Sequence, residues 1–322
     1  MHDVVCVGSS TIDVFVNTND KEIQYNKRRI IGFDAGSKNI IQDLNYSIGG
    51  GAVNTSVSFS RLGIKVACIT KLGSYGNGKI IEKYLRDEKV KVIPIRSKTE
   101  HSGYSVILDS HEHSRAILTY KGANDSLKFD EIPKKQLNAK WLYFTSMMKD
   151  SFKTQVKLIN HVKKSNIKVA YNPSLYQIKE YKTILSRLLR KIDLLIFNKE
   201  EAETLVGKHP IKKLVKKIYQ KGVRIVVITD GKKGSYAYDG FRYYDAKPNL
   251  VNYVETTGAG DAFASTLLAG MIKGKSLEDS MKLATSNAES VIKQIGAQNE
   301  LLTWTKLNNI VKKKPIKVKI TK

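Results

Sequence analysis

Cysteine is scarce in this chain, which has only Cys6 and Cys68 among its 322 residues. Each lies inside a short apolar run, and neither has a second ligand at a spacing typical of a metal site. A disulfide between them is open on sequence grounds, but two buried free thiols in a reducing compartment are the favoured interpretation. A disulfide-rich secreted fold is excluded.

Long apolar runs are also missing. The chain has no stretch of 18 or more apolar residues, so no transmembrane helix and no membrane partner are expected. The first residues enter an apolar run at once, without the basic segment and small-residue cleavage site of a signal peptide. We therefore expect a cytoplasmic protein.

Acidic residues are few relative to basic ones. There are 30 Asp plus Glu against 55 Lys plus Arg, a formal net charge of +25. This excess suits anionic small molecules such as nucleotides, but solvated lysines on helix faces explain most of it, and nucleic acid is not an expected partner. The lysines are densest near the end, where residues 306–322 are predicted to form a loose basic extension outside the main domain.

The remaining chain alternates short β-branched runs with amphipathic segments of helical length. This alternation predicts βαβ units and a mostly parallel sheet covered on both faces, in one α/β domain over residues 1–305. Predicted strands are 4–7, 66–70, 141–145, 168–172, 194–198 and 225–229, and predicted helices are 52–62, 76–88, 152–164, 181–189, 200–206, 211–221, 262–273 and 277–294.

Two segments interrupt the alternation. Residues 14–47 are polar with short alternating runs, and residues 102–120 have the pattern of a hairpin with its turn near 109–114. Together they predict a small β-strand lid over the carboxyl ends of the parallel strands, where open α/β sheets bind ligands. A lid suits phosphoryl transfer because it excludes water as a competing acceptor.

Residues 255–263 hold the most informative local pattern. Gly258, Ala259 and Gly260 precede an apolar helix, and Asp261 stands at its first turn. Free backbone N–H groups and the helix dipole suit a phosphate, while the carboxylate suits removal of a proton from a hydroxyl. The pattern indicates phosphoryl transfer to an alcohol.

Two further segments suit an acceptor with several hydroxyl groups. Asp13 follows the first predicted strand, and its carboxylate can accept two hydrogen bonds from adjacent hydroxyls. Gly50 and Gly51 precede a helix that carries Asn54 in its first turn. An ordinary turn with a solvated acid, or a tight glycine turn, explains each of these equally well when taken alone.

Two other patterns suit a nucleotide. Asn198 ends a strand and Glu201 opens the next helix, which fits either Mg²⁺ held through water or a helix cap with acids in its first turn. Thr229, Gly231 and Gly234 form a strand end and glycine loop, which fits either a nucleotide or a hairpin turn. The lysine-bearing phosphate loop of Walker type is absent from the sequence.

In order along residues 1–305, these segments resemble the PfkB/ribokinase family of sugar and nucleoside kinases. The resemblance is strongest in residues 49–56 and 256–263, with supporting positions at 61–63, 73–78, 120–124, 172–173, 198–201, 229–234 and 296–297. It implies a ribokinase-like three-layer α/β/α sandwich with a mostly parallel central sheet and a small β-strand lid. The implied activity is ATP-dependent phosphorylation of a primary hydroxyl of a small sugar or sugar derivative.

The resemblance also implies roles for individual residues. Asp261 corresponds to the general base, and the amides of Gly258, Ala259 and Gly260 to the anion hole. The remaining matched positions are Asp13, Gly50, Gly51 and Asn54 for the acceptor, Asn198, Thr229, Gly231, Gly234 and Asn287 for the nucleotide, and Glu201 for Mg²⁺ through water. Exposed lid strands imply a homodimer through the lid as a candidate assembly.

Several positions depart from the family pattern. Glu255 replaces an Asp that helps to hold a monovalent cation in some members, so K⁺ dependence is open. Thr266 replaces a small residue on the helix behind Asp261, while Thr11 and Gly51 differ from the residues of ribokinases. A nucleoside acceptor therefore stays an alternative, and a non-catalytic sugar or nucleic-acid binder on the same fold is a more remote one.

Overall fold

The structure is a computed structural model, and it describes residues 1–17, 23–26, 28–110, 115–249, 256–294 and 296–322. In chain order, the strands are β1 (His2–Val7), β2 (Thr11–Asn17), β3 (Ile23–Tyr25), β4 (Arg28–Ile30), β5 (Asp43–Gly49), β6 (Val66–Gly73), β7 (Lys91–Ser97), β8 (Gly103–Asp109), β9 (Arg115–Tyr120), β10 (Ala139–Thr145), β11 (Lys168–Asn172), β12 (Leu194–Asn198), β13 (Ile225–Thr229), β14 (Ser235–Tyr238), β15 (Tyr243–Lys247) and β16 (Lys317–Thr321).

The helices alternate with the strands of the large sheet. In chain order, they are α1 (Gly51–Arg61), α2 (Gly76–Asp87), α3 (Lys149–Val162), α4 (Leu175–Leu188), α5 (Lys199–Val206), α6 (Ile211–Tyr219), α7 (Ala259–Ile272), α8 (Leu277–Val291) and α9 (Trp304–Lys313).

The large sheet has the strand order β16-β15-β14-β13-β12-β11-β10-β1-β6-β7. From β13 to β7 all neighbours are parallel, whereas β14, β15 and β16 pair antiparallel. The carboxyl ends of the parallel strands therefore meet at one edge of the sheet, which is the edge that open α/β sheets use for ligands.

Two hydrophobic layers cover this sheet, as alternation along a buried strand requires. In β1, Val4 and Cys6 pack into one layer with α1, α7 and α8, whereas Val5 and Val7 pack into the other with α3 to α6. Cys6 and Cys68 are both buried free thiols, as predicted. The predicted three-layer sandwich is confirmed.

A second sheet has the order β5-β2-β8-β9 and forms the predicted lid. β2 pairs with β5 and with β8, so the two interrupting segments join in one sheet, and β8 and β9 form the predicted hairpin. The tip of that hairpin, residues 111–114, lies outside the described residues. The short pair β3–β4 lies in the same lid region of the chain.

The end of the chain corrects the prediction of a loose extension. β16 pairs with β15 over five residues, and Ile316, just before it, is 2% exposed in the main core. Ile316, Val318 and Ile320 alternate with lysines, so the segment can bury one face while its charges stay in water. The prediction was based on the lysine content of this segment and overlooked the alternation of apolar and basic residues that is typical of a strand.

Candidate active site

Asp13 lies in the lid strand β2, where it faces Ser47 of β5 and Ser105 of β8 across the ladder. Burial raises the pKa of its carboxyl group, while hydrogen bonds from the hydroxyls of Ser105 and Thr11 act in the opposite direction. A side chain at Gly49 would collide with this carboxylate. Because Gly49 has no side chain, the carboxylate of Asp13 fits at the base of the lid, next to the start of α1.

In the turn before α1, the backbone at Gly50 lies directly against the backbone at Ser9. Gly50 has a φ of 94°, and a Cβ at this position would lie 2.6 Å from the carbonyl oxygen of Ser9, so only glycine fits. The N–H of Gly51 donates to the hydroxyl of Ser9 at 3.3 Å. The ends of β1 and β5 and the start of α1 therefore share one small space.

The decisive contact joins two distant motifs. The amide Nδ2 of Asn54 in α1 donates to Oδ2 of Asp261 in the first turn of α7, at 2.8 Å. The two helices also meet at Ser58 and Ser265, whose hydroxyls are 2.7 Å apart. Asp13, Gly50, Gly51, Asn54 and Asp261, predicted separately, thus form one cluster.

Asp261 has an unusual electrostatic environment. Burial raises the pKa of its carboxyl group to about 6, and the hydrogen bond from Asn54 limits that rise. The described residues give its other oxygen, Oδ1, no hydrogen-bond partner. A carboxylate that titrates near neutrality and keeps one oxygen available is suited to general-base catalysis.

The loop before Asp261 has the geometry of an anion site. Gly258 has a φ of 81°, and a Cβ there would lie 2.5 Å from the Cα of Ala297, which fixes glycine at this position. The N–H of Ala259 already donates to the carbonyl of Thr256 at 3.2 Å. The amides of Gly258 and Gly260 have no partner among the described residues, and the space beside Gly260 is open.

Asn198 and Thr229 are neighbours across β12 and β13, at the carboxyl edge of the sheet. Asn198 caps α5, since its side chain accepts from the N–H of Glu201 at 2.8 Å and Glu201 accepts from the N–H of Asn198 at 2.8 Å. The helix-cap interpretation is therefore realised. Burial raises the pKa of Glu201 to about 7, with the N–H groups of Asn198 and Leu175 opposing the rise.

The loop at Gly231 and Gly234 is the turn of the β13–β14 hairpin, in which Thr229 pairs with Ser235. The space beside Gly231 is open, whereas a side chain at Gly234 would collide with the carbonyl of Ala246. The hairpin-turn interpretation is thus also realised. The open side of the turn follows directly on Thr229, whose hydroxyl donates to the carbonyl of Phe197 at 3.2 Å.

Asn287 does not join this edge of the sheet. It is fully buried in α8, its Nδ2 donates to the hydroxyl of Thr266 at 2.7 Å, and its Oδ1 accepts from the N–H of Leu302 at 3.0 Å. Both ends of the amide are used inside the protein, so a direct contact with an adenine does not fit this structure. Thr266, one of the residues that depart from the family pattern, therefore serves as a hydrogen-bond partner of Asn287.

Two polar residues of the cluster were not predicted. The hydroxyl of Thr145, at the carboxyl end of β10, is buried and has no hydrogen-bond partner among the residues that the structure describes; it lies 2.7 Å from where a Cβ of Gly51 would stand. Gln298 donates to Oδ1 of Asn54 at 2.8 Å. The first could have been found as a polar residue ending a predicted strand, and the second as a neighbour of residues 296–297.

Comparison with known proteins decides the family. The model of the pfkB family of carbohydrate kinases matches residues 1–304. The chain belongs to this family. It is therefore a phosphotransferase of the class that acts on hydroxyl groups of sugars or nucleosides, with a ribokinase-like fold.

Relatives within the pfkB family differ in substrate. The chain is 29% identical over 262 residues to a cytidine kinase of Thermococcus kodakarensis, covering 77% of this chain and 88% of that protein. It is 26% identical over 261 residues to an ATP-dependent 6-phosphofructokinase of Thermoanaerobacterium thermosaccharolyticum, covering 77% and 80%. The ribokinase of Arabidopsis thaliana, solved with ribose and ATP, matches with a TM-score of 0.83 over 97% of this chain and 99% of that chain, at 23% identity. That likeness shows the fold.

Metal ligands and membrane-spanning segments were both considered in the sequence, and the described residues of this pfkB-family structure bear on each. The described residues contain no group of three or more His, Cys, Asp or Glu side chains arranged to hold a metal ion. Among the same residues, no helix combines the length and the apolar character that crossing a membrane requires.

Proposed function

We propose that this protein transfers the γ-phosphoryl group of ATP to a primary hydroxyl of a small sugar or sugar derivative, with Asp261 as the general base. The observation that carries the proposal is the 2.8 Å contact between Asn54 and Asp261 at the start of α7. It holds a carboxylate with a pKa of about 6 beside the amides of Gly258 and Gly260, which have no hydrogen-bond partner in the described part of the chain.

In this mechanism the acceptor hydroxyl donates a hydrogen bond to Oδ1 of Asp261. As its oxygen forms a bond to the γ-phosphorus, the proton passes to Asp261 and the bond from phosphorus to the β-phosphate oxygen breaks, which releases ADP. Charge on the transferring group is stabilised by the amides of Gly258 and Gly260 and by the positive end of the α7 dipole. Asp13 and Asn54 hold the other hydroxyls of the acceptor.

The nucleotide is assigned to the carboxyl ends of β12 and β13. Thr229 and the open side of the turn at Gly231 and Gly234 offer a surface for ribose and phosphates, next to Asn198. Glu201 fits a role in holding Mg²⁺ through water, because its carboxylate has acceptor capacity beyond the cap and hard oxygen ligands suit this ion. Mg²⁺, when bound, supplies charge neutralisation on the phosphates.

The role of a monovalent cation depends on Glu255, which lies outside the described residues. The predicted place of Ala259 in the anion hole is modified, since its N–H is already used by Thr256. We therefore assign the main contacts with the phosphoryl group to Gly258 and Gly260.

A nucleoside is the second candidate acceptor. Phe15 and Ile107 pair across β2 and β8, two residues beyond Asp13 and Ser105 on the same face of the lid. A base attached to a ribose held at Asp13 would meet this apolar pair. The similarity to a cytidine kinase supports the same acceptor class. A non-catalytic binder is disfavoured, because it has no use for the available carboxylate oxygen.

A second copy of the chain is the proposed macromolecular partner, bound through the lid in the cytoplasm. Tyr46, Ile117 and Leu118 on lid strands β5 and β9 are 68%, 61% and 63% exposed. These strands are the two edges of the lid sheet, and apolar exposure of this extent at a sheet edge is typical of an interaction surface.

The test is an ADP-release assay with ATP and Mg²⁺ over ribose, fructose, 2-keto-3-deoxygluconate, fructose phosphates, adenosine, inosine and cytidine. We expect turnover with one acceptor class, loss of turnover on chelation of Mg²⁺, and a decrease of at least about 100-fold in Asp261→Asn with ATP binding retained. Turnover near that of the wild type in Asp261→Asn would sink the assignment of the base.

A further inference from the structure

Behind the contact between Asn54 and Asp261 lies a chain of buried amides. Gln298, in the segment between α8 and α9, is 5% exposed and donates through Nε2 to Oδ1 of Asn54 at 2.8 Å and to the carbonyl of Ile48 at 2.5 Å. Asn54 is 7% exposed, and its Nδ2 in turn donates a hydrogen bond to Oδ2 of Asp261. The hydrogen bonds therefore run in one direction, from Gln298 through Asn54 to the carboxylate.

This direction is fixed by the backbone. An amide side chain can be turned by 180° with little change in shape, so the partners decide which end donates. The carbonyl of Ile48 can only accept, which identifies the end of Gln298 that faces it as Nε2. Asn54 must then present Oδ1 to Gln298 and Nδ2 to Asp261.

Gln298 is itself held from two other sides. Its Oε1 accepts from the hydroxyl of Tyr84 in α2 at 2.6 Å, and its backbone carbonyl accepts from Nη1 of Arg61 at 2.9 Å. Arg61 is anchored by a two-point ion pair with Glu88, at 3.0 Å and 2.6 Å. The far end of the chain of amides is thus tied to α1 and α2, away from the reacting atoms.

We propose that Gln298 is a positioning residue for the reaction: it fixes the orientation of the Asn54 amide, so that Asn54 binds Oδ2 of Asp261 and leaves Oδ1 for the acceptor hydroxyl. This inference rests on the proposed function of Asp261 as the base. Without Gln298, the Asn54 amide is free to turn and to present its oxygen to the carboxylate, which would repel the charge.

The consequence for Asp261 is a change of proton affinity. Burial raises its pKa and the N–H of Asn54 opposes that rise, so loss of the N–H raises the pKa further. The other titratable groups that interact with it are Cys6 of β1 and Tyr143 of β10, and burial raises the pKa of each above its ordinary value. Both groups are neutral near pH 7, so the hydrogen bond from Asn54 is the main interaction that lowers the pKa of Asp261.

The test is a titration that needs no acceptor. Aspartate labelled with ¹³C at Cγ is observed by NMR in the full chain, and the Asp261 signal is assigned by its loss in Asp261→Asn. We expect a midpoint near 6 in the wild type, an upward shift of about one pH unit in Gln298→Met, and a smaller shift in the same direction in Tyr84→Phe. The control Gln294→Met, at an exposed side chain near the end of α8, should leave the midpoint unchanged.

Three outcomes would contradict the proposal or the kinase mechanism on which it rests. A midpoint that stays at its wild-type value in Gln298→Met and in Tyr84→Phe overturns the proposal. With the acceptor identified, Gln298→Met should lower kcat about ten-fold and move the acid limb of kcat/KM upward by the same amount as the NMR midpoint. A lower Tm with an unmoved acid limb would mean a merely structural role. An NMR shift in a protein without phosphoryl transfer would refute the kinase mechanism and leave the positioning of Asp261 intact.

Discussion

In its proposed role as general base, the carboxyl group of Asp261 sets catalysis against stability. Its pKa is raised by burial from 3.8 to about 6, so ionisation disfavours the folded state. The folded protein holds this proton more tightly than the unfolded chain does, and stability is therefore lost as the pH rises from about 3.8 to about 6. Above that window the cost in stability is constant, and it is present at the pH where the proposed base must be ionised.

We predict that Asp261→Asn is more stable than the wild type at pH 7.5, by about 3 kcal/mol, because the amide keeps the acceptor oxygen for Asn54 and carries no charge. At pH 4 the two proteins should be nearly equal. Urea unfolding at both pH values measures the difference. An equal gain at both values would point to packing instead of ionisation.

Substitutions of Glu201 can separate its role in capping α5 from its proposed role in holding Mg²⁺. Glu201→Gln keeps an oxygen for the N–H of Asn198, so α5 should stay capped and Tm should not fall. The Mg²⁺ concentration for half-maximal activity should rise several-fold, because the charge is lost. Glu201→Ala, the comparison variant, should also lose about 1 kcal/mol of stability. An unchanged Mg²⁺ requirement in Glu201→Gln would argue against the metal role.

At the residue scale, local sequence patterns predicted the site residues that lie beside glycine turns or at strand ends. Asp261, Asn54 and Asp13 were predicted for this reason, and the structure joins the first two directly. Gln298 directly follows the matched residues 296–297, but it was missed because its partners are 244 and 214 residues away in the chain, so its local sequence does not show what it binds. Asn287 shows the opposite failure, since a buried amide that links helices has the same sequence appearance as a binding residue.

At the scale of elements, six of the seven parallel strands of the large sheet and most helices were predicted, because each has a run of β-branched or amphipathic residues of its own. Among the strands of this sheet that escaped prediction, the two edge strands have mixed patterns. β7 contains Pro94 and two basic residues, and β16 alternates lysine with apolar residues. Their position at the sheet edges, which sequence does not encode, makes these patterns acceptable.

The segment leading into β16 is predicted to be a structural part of the domain. Ile316→Ala should lower the free energy of unfolding by about 2–4 kcal/mol, because Ile316 is 2% exposed in the main core. Ile320→Ala is the matched control, since Ile320 is 37% exposed and should cost less than about 1 kcal/mol. Chemical denaturation measures both, and equal effects of the two substitutions would contradict the buried role of Ile316.

At the scale of the whole molecule, the lid is the surface we expect to bind a second copy. The wild type should sediment as a dimer, and Leu118→Lys should shift it toward monomer, because a charge would replace an apolar side chain in the interface. Phe241→Lys is the control, since Phe241 is 85% exposed in the turn between β14 and β15. A monomeric wild type, or dissociation by both substitutions, would contradict a dimer through the lid.

The outermost strands of the large sheet suggest how the protein avoids aggregation. β16 carries Lys317 and Lys319, and β7 carries Pro94 between basic residues, so both edges resist the addition of a strand from another chain. The lid edge β9 has only Arg115 at its start, followed by an uncharged run. The other lid edge, β5, likewise carries one charged residue, Asp43, so the lid sheet is where strand addition from another chain meets least resistance, away from the large sheet.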